Sequence, residues 1–132
     1  MKHILIFLSV CSALWTVEAK KCEHIREPMC KGVRYNFTTF PNGLGHPTQE
    51  QARLEFHKFY PLLNRKCSKY LKEFMCAVYF PECRKNGKGP LVMPSRELCQ
   101  ESYKGCAHVM EMYGFEWPRN LNCYNFPGKF GT

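Results

Sequence analysis

Nine cysteines stand in this chain of 132 residues, and their spacing decides which chemistry is open to them. No two are separated by a pair of residues, so the Cys-x-x-Cys pattern of zinc sites and thioredoxin-like redox centres does not occur. Cys11 lies in an apolar leader. The remaining eight are Cys22, Cys30, Cys67, Cys76, Cys83, Cys99, Cys106 and Cys123. An even number in a short secreted chain calls for a disulfide framework rather than for metal binding or reactive thiols. Bridges at about 2–4 kcal/mol each would supply a large part of the stability of so small a domain. Spacing alone leaves about a hundred pairings open. Helix geometry excludes every pairing that joins Cys99 to Cys106: two turns apart on one predicted helix, they are separated by about 10 Å, beyond disulfide reach.

The other residues that could do chemistry argue against catalysis. His24, His46, His57 and His108 have no aspartate to orient them, because the chain contains none; every acidic residue is glutamate. Neither Gly-x-Ser-x-Gly nor His-Glu-x-x-His occurs. The sequence therefore predicts a binding protein with no enzyme activity, no cofactor and no metal. The net charge is +8, with basic residues gathered at Arg65, Lys66, Lys69 and Lys72 and again at Arg84, Lys85 and Lys88. In a secreted protein such clusters point to heparan sulfate or an anionic cell surface rather than to nucleic acid, or simply form a solvated surface.

Several elements must position these residues. Residues 1–19 combine a basic start, an apolar run and a small-residue end, and read as a signal peptide too short to span a membrane. Residues 20–132 then form one secreted, extracellular domain without a membrane span. Residues 20–45 alternate turn residues with β-formers and carry Asn36-Phe37-Thr38, a glycosylation sequon on Asn36. A first helix is predicted over residues 48–63, opened by Thr48 and Gln51 as a capping box, with Ala52, Phe56, Phe59 and Leu63 on one face. Pro61 breaks it near Phe59–Tyr60, because its ring removes the bond to the carbonyl of His57. The apolar residues around that break are either core or the lining of a lipid site. A second helix runs over residues 68–79 with Ser68 as its cap and Leu71, Met75 and Val78 inward, and Pro81 ends it. A third runs from Ser95 to about Tyr113 and closes on Gly114.

Ordered along this frame are the words Pro28-Met29-Cys30-Lys31-Gly32, Tyr35-Asn36-Phe37-Thr38, Pro41-Asn42, Phe59-Tyr60-Pro61-Leu62, Phe74-Met75-Cys76, Tyr79-Phe80-Pro81-Glu82-Cys83 and Tyr113-Gly114-Phe115-Glu116-Trp117-Pro118. Over Cys22–Cys123 they closely resemble the Frizzled cysteine-rich domain of Frizzled receptors and secreted Frizzled-related proteins. The resemblance implies a mainly α, disulfide-rich fold with three to four helices and a short N-terminal strand pair or hairpin. It implies the bridges Cys22–Cys83, Cys30–Cys76, Cys67–Cys106 and Cys99–Cys123. The family's fifth bridge is absent as a whole, with Ser95 in place of one of its cysteines.

What the resemblance implies about function is an apolar groove that takes the acyl chain of a lipid-modified Wnt protein. Its matching positions here are Lys58, Phe59, Pro61, Leu62, Val109, Met110, Tyr113 and Phe115, with Tyr60 beside them. Tyr35, Tyr60 and Glu82 match a second Wnt contact. Arg65 stands where the family is usually apolar, and either lays its stem along the acyl chain or narrows the groove. Trp117 reads as core. The implied role is a secreted Wnt-binding module acting as a soluble decoy, antagonist or carrier, with weak pairing of two copies as the family allows. The alternatives are a free fatty acid or sterol in the same groove, or a fragment of a receptor ectodomain.

Overall fold

A computed structural model describes residues 21–128; the leader expected over residues 1–19, with Cys11, lies outside them. Helix α1 (Gln49–Phe56) is followed by α2 (Tyr60–Arg65), α3 (Leu71–Tyr79) and α4 (Arg96–Met112). Strand β1 (Glu23–His24) pairs antiparallel with β2 (Phe37–Thr38), Glu23 opposite Thr38 and His24 opposite Phe37. The fold is mainly α with a short strand pair, the class that the sequence implies.

The helix expected over residues 48–63, broken near Phe59–Tyr60, is two helices joined at that break. Thr48 caps α1, its hydroxyl accepting the N–H of Gln51 at 3.3 Å. Pro61 has no N–H for the His57 carbonyl, so the chain tightens into a 3-10 turn over His57–Phe59, where the Tyr60 N–H bonds that carbonyl instead. Pro61 then sits in the first turn of α2, where a missing N–H does no harm. The side-chain amide that the fold uses belongs to Gln49. It is buried, accepts from the Arg26 N–H at 2.6 Å and donates to the His24 carbonyl at 2.9 Å, tying α1 to the strand pair.

Ser68 is not the cap of α3. Tyr70 holds that position, and Ser68 instead accepts the Tyr70 N–H at 3.1 Å and donates to the Glu101 carbonyl at 3.2 Å, anchoring the turn to α4. Helix α3 is the centre of the core. Leu71, Phe74, Met75, Cys76, Val78 and Tyr79 are all buried, more than one stripe, so neighbours cover it on several sides. Phe56 packs edge-on against Phe80 at 5.2 Å and Phe74 against Phe126 at 5.2 Å. Trp117 is half-buried at the margin of this core, its indole N–H donating to the Leu121 carbonyl at 2.7 Å.

The bridges are Cys22–Cys83, Cys30–Cys76, Cys67–Cys106 and Cys99–Cys123. Cys99 and Cys106 lie on α4 and each bonds to a different segment, so the helix is stapled at two heights. Gly105 makes the upper staple fit. A Cβ there would meet the Cys67 carbonyl oxygen at 2.4 Å and the Ser68 Cβ at 2.9 Å, so only glycine lets α4 pass this close.

Candidate functional site

The break between α1 and α2 opens onto a groove of about 610 Å³, within the range of about 300–1,000 Å³ usual for ligand sites. Glu55, Lys58, Phe59, Pro61 and Leu62 line it from the broken helix, and Tyr79 from the end of α3. Met110 and Tyr113 line it from the end of α4, and Phe115, Glu116, Pro118 and Asn120 from the segment beyond.

Local sequence explains how the far wall is made. Gly114, at φ +83°, takes the left-handed conformation that ends α4. The Gly114 N–H bonds the Glu111 carbonyl at 2.9 Å and the Phe115 N–H bonds the Met110 carbonyl at 2.9 Å, the paired bonds of a Schellman cap. That cap folds the chain back so that Phe115 and Met110 line the same groove. Phe59, Leu62, Tyr79 and Met110 are buried and form its floor, whereas Tyr113 and Phe115 are 51% and 66% exposed and form its walls. Phe59, Leu62 and Met110 belong to the core cluster and also line the groove.

Polar groups stand at the margin. Glu55 Oε2 lies 2.9 Å from His46 Nε2. The Asn42 amide fixes that histidine: its Oδ1 accepts the Leu44 and His46 N–H groups, so its Nδ2 must donate to the Tyr79 carbonyl and to His46 Nδ1. His46 is thereby held with its Nε2 edge toward Glu55. The Tyr79 hydroxyl is pushed well above the usual tyrosine range, by burial first and by the nearby Glu55 charge second.

Three of the expected groove residues lie elsewhere. Val109 is half-buried against the core and is not among the residues that line the groove. Arg65 does not line the groove; its guanidinium sits over the Tyr113 ring at 5.9 Å, bracing that wall from outside. Tyr60 turns its hydroxyl to the buried Glu27 carboxylate, which also accepts the Met29 N–H at 2.8 Å. Burial and this bond push Tyr60 up to about 12. The expected second contact is likewise divided. Tyr35 and Glu82 border one shallow depression, and Tyr60 is not part of it. The Tyr35 hydroxyl is spent inward, donating to the Phe80 carbonyl at 2.8 Å, and Glu82 is held by Arg84 at 2.9 Å and Arg34 at 3.8 Å. Asn36 is exposed beside β2.

The sequence reading missed Glu55, Tyr79, Glu116, Pro118 and Asn120. Glu55 lies one turn before Phe59, so the helical period places it beside a named residue. Pro118 and Asn120 lie in an irregular tail with no period to read. Among the described residues no helix is long and apolar enough to cross a membrane, and no cluster of three metal-ligating side chains occurs.

Fold and groove define a class: a cystine-braced helical domain that keeps an apolar slot open to solvent. Residues 22–129 match the Fz domain family, and the chain belongs to that family. Over 124 residues it is 44% identical to Frizzled-2 of Caenorhabditis elegans, a match covering 94% of this chain and 21% of that protein. Protein mom-5 of the same worm is 46% identical over 108 residues, 82% of this chain and 19% of the relative. Frizzled-2 of Drosophila melanogaster is 45% identical over 107 residues, 81% of this chain and 15% of the relative. The chain thus spans about a fifth or less of the length of these relatives. Among solved structures, a Smoothened cysteine-rich domain superposes with a TM-score of 0.62 at 29% identity, covering 85% of this chain and 97% of that one. A Xenopus Smoothened cysteine-rich domain solved in complex with cyclopamine gives a TM-score of 0.57 at 30% identity, covering 83% of this chain and all of the other.

Proposed function

We propose that this chain is a Wnt-binding module whose groove takes the acyl chain of a lipid-modified Wnt protein. The observation that carries the reading is the open apolar slot at the α1–α2 break, in a member of the Fz domain family. Solvent-exposed Tyr113 and Phe115 are apolar area waiting to be covered. Burying acyl methylenes at about 0.8 kcal/mol each gives on the order of 10 kcal/mol for a long chain, an amount that association costs of similar scale largely offset. Protein contacts outside the groove must then supply the remaining affinity. Disulfide bridges suit an extracellular setting, where a domain released from the cell would act as a soluble decoy or antagonist. This is binding without catalysis. Asn36, exposed and in a sequon, is the proposed glycan site.

Acylated and unacylated Wnt presented to the purified protein separate the outcomes. The reading expects binding to the acylated form and a large loss without the acyl group; equal binding of both, or of neither, refutes it. A free fatty acid or sterol in the same groove is the second reading, favoured by the complex of the Xenopus Smoothened domain with cyclopamine. Native mass spectrometry of the secreted protein distinguishes it: a co-purifying lipid supports that reading, and a lipid-free domain that binds acylated Wnt excludes it.

A further inference from the structure

We infer a second binding site, for a sulfated linear glycan, on the face formed by β2, α3 and the loop after α3. The sequence shows the basic residues as separate clusters, and the fold joins them. Lys72 Nζ donates to the Lys31 backbone carbonyl at 2.5 Å, which sets the Lys72 ammonium beside the Lys31–Gly32 backbone. Arg34 lies 3.9 Å from Glu73, the neighbour of Lys72, and 3.8 Å from Glu82. Arg84 reaches the same Glu82 carboxylate at 2.9 Å. The chain of contacts therefore runs from Lys31 through Arg34 to Arg84. Beyond Arg84 the loop turns through three successive residues of positive φ, Lys85 (52°), Asn86 (54°) and Gly87 (83°), before Lys88.

Six cations thus share the face with two carboxylates. Both carboxylates are already engaged by arginines, so they steer the guanidinium groups rather than repel an incoming anion. Lys31, Lys72, Lys85 and Lys88 are exposed, and none is in an ion pair among the described residues. None of the six lines the apolar groove. The two sites are separate, and a glycan on one leaves the other open.

Compartment selects the ligand. A disulfide-braced domain faces the extracellular side, whereas the negative surface potential of membranes belongs to the cytoplasmic leaflet. Nucleic acid is excluded on the same ground. The dense polyanion of the extracellular side is sulfated polysaccharide.

A heparin oligosaccharide titrated against the full chain at several salt concentrations tests this. The protein should bind at about 0.15 M salt, and N- and O-desulfated heparin should not. Lys72→Gln with Lys85→Asn and Lys88→Gln should weaken binding about tenfold or more and reduce the salt slope by two to three charges, roughly one per cation removed. Lys66→Gly with Lys104→Gln and Arg119→Gln removes equal charge elsewhere and should leave binding near wild type. In the unaltered protein, bound heparin should shield Lys72, Lys85 and Lys88 from an amine-acylating reagent and leave Lys104 reactive, a readout independent of variant folding. Release below 0.15 M salt, equal losses in both triple variants, unprotected patch lysines, or equally tight binding to phosphatidylserine vesicles would each overturn the assignment.

Discussion

Truncating Phe115 to alanine should weaken binding of the acylated ligand and leave the protein folded. The ring carries about 200 Å², of which 66% is exposed, so roughly 130 Å² remains to be covered by a ligand. At about 25 cal/mol per Å² full coverage is worth about 3 kcal/mol. A chain lying across one face covers about half of that, so Phe115→Ala should raise Kd for acylated Wnt about tenfold. The third of the ring already buried, roughly 70 Å², is worth about 1.5–2 kcal/mol to folding at the same coefficient, so the thermal midpoint should fall by about 5–10 °C while the protein stays folded at assay temperature. Phe59 cannot serve in this test, because it is buried and its loss would damage the core. Immobilised protein and soluble Wnt, read by surface plasmon resonance, provide the measurement. Binding of the unacylated form, where detectable, should not respond to the variant. Equal losses for both forms would show that Phe115 meets the Wnt polypeptide; no loss for either would show that the groove is not where the chain goes.

Three further outcomes follow from particular contacts. Gly105→Ala drives a methyl into the Cys67 carbonyl at the Cys67–Cys106 staple, and should destabilise the protein by about 1–3 kcal/mol in urea unfolding; an unchanged midpoint would mean that α4 is free to retreat. Gly114→Ala meets no atom within 4 Å, so only its φ of +83° opposes the substitution, and the loss should be about 1–2 kcal/mol, with acyl binding weakened in proportion if Phe115 shifts. In an ultraviolet alkaline titration Tyr60 should ionise near pH 12, and Tyr35 and Tyr79 should also lag, all three because burial disfavours the phenolate. Tyr60 ionises from 10.0 in the unfolded chain, so its contribution to stability is whole below about pH 10 and is lost as pH rises through about 12; seven tyrosines titrating together near 10 would contradict this.

The sequence was most legible where one residue type forces one geometry. Pro61 announces the break, Gly114 the end of α4 and the cysteines the bracing, because each acts through covalent structure or φ and needs no partner to be read. Tyr60 and Arg65 were read by position within a motif, and their side chains are committed by partners far away in the chain, Glu27 and Tyr113. Burial of Gln49 and Glu27 had no sequence signal at all. Both look like surface polar residues until the strand pair and the Pro28–Cys30 turn are laid against α1.

Those buried polar residues also brace the two sides of the groove. Exposed apolar walls favour collapse, and a helix broken at Pro61 could close over Met110 if its two halves pivoted. Glu27 opposes the pivot. Its side chain is fully buried, with the Tyr60 hydroxyl and the Met29 N–H on Oε2 and with Arg53 and His57 each 3.6 Å from Oε1. Arg53 belongs to α1 and Tyr60 to α2, so this one carboxylate holds both sides of the break. Swinging either half away would strip partners from a buried charge, a penalty of about 1–3 kcal/mol or more, comparable to what covering Phe115 would return. The Cys67–Cys106 bridge fixes the far end of α2 against α4, and the Gly114 cap fixes Phe115 opposite. Contacts from three separate segments thus fix the walls of the slot, and a rigid wall lowers the ordering cost that binding must meet.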